Sequence, residues 1–313
     1  MATTNKTNVY DLVTERIIEQ MNKGIIPWHK PWSIVANGKT NGTNSAINYV
    51  TRKAYSPLNQ MLLGESGEYL TWKQIESLKG KVKKGANSHI VVFYTTTEYT
   101  REIKGTDENG KETTRTEEYT IPVLKYYRVF HLSDTENIPS KITPDEICEP
   151  EPEQAITAAE NIINDYVFRE SFNGFKFQNN KLSDEAYFSP AHDKVVVPMK
   201  KQFNSLEAYY ATTFHELTHS TLLAKRCNRT ENGNITARFG SQVYSKEELV
   251  AEIGSAMLCT ISGINTKDVF DNSVAYIQGW IKSLKNDNKM IVWAASRAEK
   301  AALYIQNLNP VTK

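Results

Sequence analysis

Two histidines and a glutamate in one short stretch have the types and spacing of a hydrolytic metal site. His215, Glu216 and His219 form an H-E-x-x-H pattern inside a run of apolar periodicity. On a helix, residues four apart share a face, so the two imidazoles can reach a common point with Glu216 beside it. Two imidazoles and an adjacent carboxylate suit a zinc ion and a water to be activated. Because the pattern also arises by chance, the surrounding sequence has to supply the helix.

The residues around the motif indicate that helix. Asn204 or Ser205 can cap free backbone N–H groups, and Glu207 suits a first helical turn. Apolar side chains then recur on the face that would enter the core, namely those of Phe214, Leu217 and Leu222. We therefore predict a helix over residues 205–225 that carries the motif.

A catalytic zinc takes three protein ligands, so one more has to come from elsewhere in the chain. Glu248 is the favoured third ligand, with Glu252 as the substitute and a lone His192 as a weaker rival. If Glu248 binds the metal, Glu252 lies one turn further on and can accept from the free N–H of a ligand histidine. A competing interpretation treats residues 245–248 as a capping box, in which Glu248 only caps its helix.

The chemistry expected of such a site is peptide hydrolysis. The three ligands would hold Zn²⁺ while Glu216 acts as the general base, and Tyr209 or Tyr210 is a candidate to stabilise the oxyanion. An alternative is a non-catalytic protein in which the metal site is structural or relict. A zinc nuclease fits less well, because phosphodiester cleavage commonly uses two-metal carboxylate clusters.

Aromatic and basic residues interleave along the first hundred residues. Rings can stack on unpaired bases while Lys and Arg follow the phosphates, which predicts binding of single-stranded DNA. Residues 1–97 hold 12 Lys and Arg against 6 Asp and Glu, in a chain whose net charge is +1. The candidate contacts are Trp28, Lys30, Trp32, Tyr49, Arg52, Lys53, Tyr55, Lys83 and Lys84. The competing interpretation places such rings in a core, and we favour it for Trp72, which lies inside a helix that a capping box at Thr71 and Gln74 predicts. Asn8 or Thr7 can likewise cap a first helix.

With 313 residues, the chain is long enough for two domains. We predict an α+β protein: a DNA-binding domain over residues 1–133 with mixed helices and antiparallel sheet, and a zincin-like, mostly helical domain with a small sheet over 155–313. The proline-rich stretch 134–154 is the predicted linker. The charged stretch 98–118, with Asn109-Gly110 at its middle, predicts a protruding hairpin. A strand at 194–198 could lie beside the motif helix and accept an extended peptide along its edge.

Composition points to a soluble cytoplasmic protein. The three cysteines, Cys148, Cys227 and Cys259, are scattered and form no disulfide framework, which is typical of a reducing compartment. No apolar run approaches the roughly 18–20 residues of a membrane span, and the polar start has no signal-peptide core, so we expect no membrane partner.

Several separated motifs, in the same order, resemble ArdC-like antirestriction proteins. Residues 27–32, 48–55, 70–74 and 82–85 resemble their N-terminal single-stranded-DNA-binding domain. Residues 209–219 with 247–252 resemble their zincin-type metallopeptidase domain, and the similarity continues through 276–280 and 293–297. The resemblance implies a plasmid- or mobile-element-encoded protein that coats incoming single-stranded DNA and shields it from restriction. It also implies a zinc-binding, protease-like domain whose protein substrate is unknown. The 98–118 hairpin looks like an insertion relative to the family.

Overall fold

Helices and strands follow one another irregularly along the chain, which confirms the predicted α+β class. The computed structural model describes residues 8–29, 45–106, 112–142, 151–229, 242–267, 269 and 273–308. The helices are α1 (Val9–Met21), α2 (Pro57–Leu63), α3 (Trp72–Ser77), α4 (Pro152–Ser171), α5 (Leu206–Ser220), α6 (Gln242–Ser262), α7 (Val274–Asn286) and α8 (Met290–Ile305). The strands are β1 (Ala46–Asn48), β2 (Gly67–Thr71), β3 (Lys81–Val82), β4 (His89–Thr106), β5 (Glu112–His131), β6 (Thr135–Glu136), β7 (Lys176–Gln178), β8 (Tyr187–Ser189) and β9 (Lys194–Val196).

Local signals in the sequence set the starts of the N-terminal helices. Asn8 caps α1, with its Oδ1 accepting from the backbone N–H of Tyr10 at 3.1 Å. The capping box predicted at Thr71 and Gln74 is confirmed at the start of α3, where each side chain bonds the other's backbone.

The N-terminal sheet has the order β1-β2-β5-β4, with β1 parallel to β2 and the other pairs antiparallel. Strands β4 and β5, of 18 and 20 residues, pair from His89 opposite Val129 to Thr106 opposite Glu112. The two strands form one long hairpin, called the β4–β5 hairpin below. Its predicted tip, Asn109-Gly110, lies outside the described residues.

Part of the segment predicted as a linker packs on the N-terminal part of the chain. Strand β6 pairs with β3, and the hydroxyl of Tyr49 donates to the carbonyl of Pro139 at 2.9 Å. Ser140 donates to the carboxylate of Glu68 at 2.7 Å. Helix α4 then begins at Pro152, so the start and the end of the 134–154 stretch both belong to ordered elements. The predicted domain boundaries stay predictions.

The C-terminal sheet has the order β7-β9-β8, which places β9 in the middle. It runs parallel to β7 and antiparallel to β8, so both of its edges are hydrogen-bonded. The prediction that residues 194–198 offer a free edge to a peptide is therefore wrong. The outer antiparallel strand that packs against α5 is β8.

One hydrophobic cluster runs through both parts of the chain. Val13 and Ile17 of α1 belong to the same buried cluster as Ile291 and Ala295 of α8. Helix α1 packs against α7 and α8, and α2 also packs against α8. Because burying one such aliphatic side chain stabilises by about 1.5–3 kcal/mol, the N-terminal helices contribute substantially to the core of the C-terminal ones. Within the described ranges, no helix combines the length and the apolarity needed to cross a bilayer.

Candidate metal centre

Helices α5 and α6 cross closely enough to bring their polar faces together. Ser205 caps α5 by accepting from the N–H of Ala208 at 3.1 Å. At the crossing, a Cβ on Gly254 of α6 would lie 2.6 Å from Cγ2 of Thr218, a distance that real side chains do not tolerate. The glycine therefore allows the two backbones to approach, and Ser255 joins them by donating to the carbonyl of Ala211 at 2.7 Å.

The crossing brings together the three predicted ligands. The Nε2 atoms of His215 and His219 lie 3.0 Å apart, and the Glu248 carboxylate oxygens lie 3.5 Å and 3.4 Å from them. One ligand atom from each residue falls within 4.8 Å of the others. Helix α6 begins at Gln242, so Glu248 stands inside the helix rather than at its first turn. The capping-box interpretation therefore does not describe this helix start.

Ion pairs dominate the electrostatics of this cluster. Burial alone would lower the pKa of His219, but the Glu247 and Glu248 carboxylates raise it to about 10. Burial would raise the pKa of Glu248, but His215 and His219 hold it far below its usual range. Two imidazole nitrogens and a carboxylate oxygen facing one point, within a surplus of acids, match the donor set of a catalytic divalent cation. Imidazole favours zinc and carboxylate also suits manganese, so the donors alone do not select one metal.

Glu216 offers a carboxylate beside these ligands. It is only 8% exposed, and its charge contributes to the raised pKa of His219. Among the residues that the structure describes, none forms a hydrogen bond or an ion pair with the Glu216 carboxylate. A buried carboxylate without a partner among the described residues is unusual, because buried polar groups are normally hydrogen-bonded.

Glu247, a residue that sequence reasoning missed, lies against His219, one of the two candidate histidine ligands on α5. Oε1 of Glu247 lies 3.5 Å from Nδ1 of His219, and Arg229 donates to both Glu247 oxygens at 2.5 Å and 3.0 Å. Arg229 also donates to the carbonyl of Thr218 at 3.0 Å, which ties the arrangement back to α5. The sequence pattern predicted contact with a ligand histidine for Glu252, whereas the structure places Glu247 against His219. The two consecutive acids Glu247 and Glu248 were the sequence signal that could have pointed to this contact.

Glu252 faces the N-terminal part of the chain. Its Oε2 accepts from Nε1 of Trp28 at 3.3 Å and lies 3.3 Å from Nε2 of His29. The Trp28 indole is fully buried and packs edge-on against Trp280 with ring centroids 5.9 Å apart, while His29 stacks on Tyr276. Glu252 thus fastens the 3₁₀ turn at residues 27–29 to the helix that carries Glu248.

The remaining candidates for the metal centre lie elsewhere. His192 is exposed and its Nδ1 lies 2.9 Å from Oγ of Ser189, outside the ligand cluster. Tyr209 and Tyr210 are buried, and their hydroxyls are engaged by Asn179 at 3.0 Å and by Glu160 at 2.8 Å. The structure therefore assigns packing roles to the two tyrosines rather than the predicted stabilisation of an oxyanion.

A buried arginine anchors the C-terminal end of α5. Arg226 donates to the carbonyl of Ser220 at 2.8 Å, to both oxygens of Asp193 at 2.7 Å and 2.8 Å, and to Glu170 at 2.8 Å. Tyr304 of α8 donates to the other oxygen of Glu170 at 2.9 Å. This network holds the end of the motif helix against α4, the turn before β9, and α8. Nothing in the local sequence pattern singled out Arg226.

Three of the four aromatic residues predicted to stack on DNA lie in the core. Trp28, Tyr49 and Tyr55 are less than a tenth exposed, so in this conformation none offers a ring face to a base. Trp72 has the opposite outcome, because the ring predicted to be buried is 53% exposed at the start of α3. Burial of an aromatic residue depends on tertiary packing that a single sequence does not show.

The predicted basic contacts divide into engaged and exposed side chains. Arg52 forms an ion pair with the buried Glu68, while Lys53 and Lys84 are exposed. Lys83 is exposed as well, with its Nζ donating to the carbonyl of Ser133 at 2.7 Å. The remaining basic candidate, Lys30, and the aromatic candidate Trp32 lie outside the described residues.

Comparison with known proteins matches each half of the chain to a described family. Residues 7–130 match the N-terminal domain of anti-restriction factor ArdC, and residues 169–297 match a zincin-like metallopeptidase. Two DNA primases TraC of Escherichia coli are 29% and 31% identical over 96% and 94% of this chain. The chain spans only 20% and 27% of the length of those relatives.

Solved structures match the whole chain. The metal-free crystal structure of the Antirestriction ArdC protein from R388 plasmid is 30% identical, with a TM-score of 0.66 over 97% of this chain and 100% of that one. The Mn(II)-bound structure of the same protein is 28% identical, with a TM-score of 0.67 over 96% and 97% of the two chains. The chain therefore belongs to the ArdC antirestriction family and carries a zincin-like metallopeptidase domain.

Proposed function

We propose that the α5–α6 crossing is the active site of a metal-dependent peptide hydrolase. The observation that carries this proposal is the convergence of His215, His219 and Glu248 beside the buried, unengaged carboxylate of Glu216. Three protein ligands with an adjacent base form the arrangement that metallopeptidases use to activate water. We propose zinc as the metal, with manganese as the alternative, because a related ArdC structure contains Mn(II).

Each residue of the site has a distinct part in the proposed reaction. His215, His219 and Glu248 would hold the cation, which when bound supplies Lewis acidity. Glu247 fixes the ring of His219 through its Nδ1. Glu216 accepts a proton from the attacking water and passes it to the nitrogen of the leaving amine, so that the carboxylate is regenerated.

A peptide substrate would reach the site along β8. This strand is the outer antiparallel strand on the side of α5, and among the described residues its outer edge pairs with no strand, so it can hydrogen-bond an extended chain. The half-exposed Tyr187 on β8 would contact a substrate side chain. The expected site of peptide pairing therefore moves from the central strand β9 to the outer edge of β8.

The direct test of hydrolysis is metal-dependent cleavage of an unfolded polypeptide such as casein. We expect the protein treated with a chelator to be inactive, because the proposed reaction needs a cation held by the three ligands. Added Zn²⁺ or Mn²⁺ should restore cleavage. Fragments resolved by mass spectrometry give the rate and the cleaved bonds. Cleavage that continues unchanged after verified metal removal would show that the α5–α6 site is not responsible.

For the N-terminal part, we infer that it binds single-stranded DNA and that this supports antirestriction in the cytoplasm of a recipient cell. Three observations support the inference: the match to the ArdC N-terminal domain, the surplus of basic residues over positions 1–97, and the similarity to two DNA primases. Exposed Lys83 and Lys84 in the turn after β3 remain candidate phosphate contacts.

Replacing Lys83 and Lys84 together by Ala is expected to weaken binding of single-stranded DNA and to flatten its salt dependence. For a single strand, each phosphate that the protein no longer neutralises lowers the slope of log affinity against log salt by about 0.7. Fluorescence anisotropy at several salt concentrations measures both quantities. The control is Lys181→Ala with Lys201→Ala, two exposed lysines of the C-terminal part. An unchanged slope in the first variant would remove the β3 turn from the interface.

A second candidate function is protection without hydrolysis, in which the metal acts as a structural brace. It is favoured by Glu252, which holds Trp28 and His29 one helical turn from Glu248. In that arrangement a bound cation would stiffen the helix on which the N-terminal segment is anchored. The Glu216→Gln variant discussed below separates the two candidates.

A further inference from the structure

The two faces of the β4–β5 hairpin differ in chemistry. Opposed residues in an antiparallel pair project to the same face, and the register pairs odd numbers with odd numbers and even with even. The odd face is therefore formed by residues 89–103 and 115–131 with odd numbers, and the even face by those with even numbers. Beyond residue 93 on β4, most side chains on both faces are exposed or half-buried.

The odd face carries a row of exposed rings. Phe93, Tyr99, Tyr119 and Tyr127 are between 38% and 44% exposed, although rings of this size normally favour burial. Phe93 and Tyr127 are in contact with ring centroids 5.9 Å apart, and Tyr99 and Tyr119 stack at the same distance. On β4 the two pairs are six positions apart, at Phe93 and Tyr99, which corresponds to about 20 Å along the strand. Ile121 lies between them and is 40% exposed.

The charged residues are also divided between the two faces, with the cations mostly on the odd face and the acids mostly on the even face. Among the described side chains of the hairpin, the odd face has the cations Arg101, Arg115 and Lys125 against one acid, Glu117. The even face has the opposite balance, with three acids and one cation: Glu98, Glu102, Glu118 and Arg128. The Arg101 guanidinium donates to the Glu117 carboxylate at 2.5 Å and 2.8 Å and lies 5.5 Å from the ring centroid of Tyr119, so charge and aromatic surface are adjacent. Arg115 and Lys125 are exposed.

We propose that the odd face of the β4–β5 hairpin is the surface on which single-stranded DNA lies. Unpaired bases stack on the two aromatic pairs, and Arg101, Arg115 and Lys125 contact the phosphates. Double-stranded DNA keeps its bases stacked inside, so exposed ring faces complement a single strand. The sign of the charge also selects this occupant, since the cations lie on the aromatic face and the acids on the opposite one. The proposal rests on the inferred binding of single-stranded DNA and names its location.

The odd face adjoins a segment already predicted to contact DNA. The ring of Tyr55 lies 6.4 Å from that of Phe93 at the base of the hairpin, and Lys53 is exposed two residues earlier. The buried Tyr55 thus packs beneath the Phe93–Tyr127 pair and does not itself present a ring face to DNA. On the even face, α1 packs on Ile90, Val92 and Leu124 at the base of the hairpin. The neighbouring Tyr94 hydrogen-bonds Tyr10 and stays 55% exposed.

Neighbouring tyrosines of similar exposure provide a matched test. Tyr127 is 44% exposed on the odd face and Tyr126 is 40% exposed on the even face. We expect Tyr127→Thr, and Tyr99→Thr with Tyr119→Thr, to lower the affinity of the full chain for a labelled single-stranded oligonucleotide by roughly fivefold to 100-fold. Tyr126→Thr should change it by less than about twofold. Thr keeps a strand-forming side chain at each position.

The wild-type titration separates the failure of this proposal from the failure of the inferred function. If the wild type binds single-stranded DNA but the odd-face and even-face variants lose equal affinity, or neither loses any, the location is wrong while the function stands. If the wild type does not bind at all, both are wrong. Loss of affinity confined to the odd-face variants, with melting temperatures unchanged, supports the location.

Photo-crosslinking provides a second measurement that needs no variant. The wild-type chain is irradiated with a bromouracil-substituted single strand, and the adducts are mapped by mass spectrometry. Adducts on Phe93, Tyr99, Tyr119 or Tyr127 are expected, and adducts restricted to the even face or to other parts of the chain would overturn the proposal. An odd face that serves a protein partner instead would give no adducts there.

Discussion

Glu216→Gln is expected to abolish peptide hydrolysis while leaving metal binding intact. The amide has almost the same size as the carboxylate and fits the same buried position, but it cannot accept a proton from water. Loss of a general base typically lowers the rate by about 10²–10⁴-fold. The three ligands, His215, His219 and Glu248, are unchanged, so the affinity for the cation should stay within about twofold. Single-turnover cleavage and metal titration measure the two quantities separately.

The matched control for this variant is Glu207→Gln. Glu207 stands in the first turn of the same helix, two turns before the motif, and is partly exposed. It should retain full cleavage activity. If Glu216→Gln cleaved the substrate at the wild-type rate, the proposed base would be wrong and the role of the site would have to be reassigned.

The same variant distinguishes the two candidate functions in cells. Transfer of a restriction-sensitive plasmid into a restricting recipient measures protection. Hydrolysis is required for antirestriction if Glu216→Gln abolishes protection at wild-type protein levels. Full protection by this variant would instead support a non-catalytic DNA-binding protein whose metal braces the fold.

The second large effect is expected from Arg226→Met, which should strongly destabilise the protein. The Arg226 side chain is fully buried, and its removal leaves Glu170 and Asp193 without their main cation. Breaking a buried ion pair from one side typically costs about 3–5 kcal/mol. For a chain of this size we expect the melting temperature to fall by roughly 10 °C. Differential scanning calorimetry or thermal circular dichroism gives the shift.

Lys225→Met is the control for Arg226→Met. The neighbouring lysine also pairs with Asp193, at 2.8 Å, but it is 42% exposed. Because exposed ion pairs contribute only about 0–1 kcal/mol, this variant should melt within a few degrees of the wild type. Equal losses in the two variants would contradict the structural role assigned to Arg226.

The pH dependence of stability provides an independent test of the Arg226 ion-pair network. Burial would raise the pKa of Glu170 and of Asp193, but the bonds from Arg226 hold both pKa values below their usual range. Tyr304 and Lys225 reinforce the effect on Glu170 and Asp193, respectively. Their stabilisation is therefore present above about pH 4.5 and lost as the pH falls through the lowered values. The gap in melting temperature between wild type and Arg226→Met should narrow below about pH 4.

Local sequence signals predicted those parts of the fold that depend on local interactions. The cap at Asn8, the capping box at Thr71 and the motif helix all follow from residues within one or two turns of each other. The convergence of His215, His219 and Glu248 was also predicted, because the spacing of the histidines expresses helical geometry and a catalytic metal site needs one further ligand.

What the sequence did not predict depends on residues far apart in the chain. Glu247 lies against His219 while Arg229, from another segment, donates to its carboxylate, and Arg226 meets Glu170 across 56 residues. Trp28 looked like an exposed ring beside basic residues, yet it reaches Glu252 over 224 residues and is buried there. The alternation that defines the odd face was present in the sequence, but its use required the register of β4 and β5.

The packing of α1 and α2 against α7 and α8 limits how such proteins can diversify by recombination. A gene fusion that exchanges the first half for that of a distant homologue would bring a helix whose apolar stripe no longer fits the receiving surface. Only exchanges that carry a matching stripe, or that also replace the last two helices, would yield a stable hybrid. The two halves are therefore expected to be inherited and to change together.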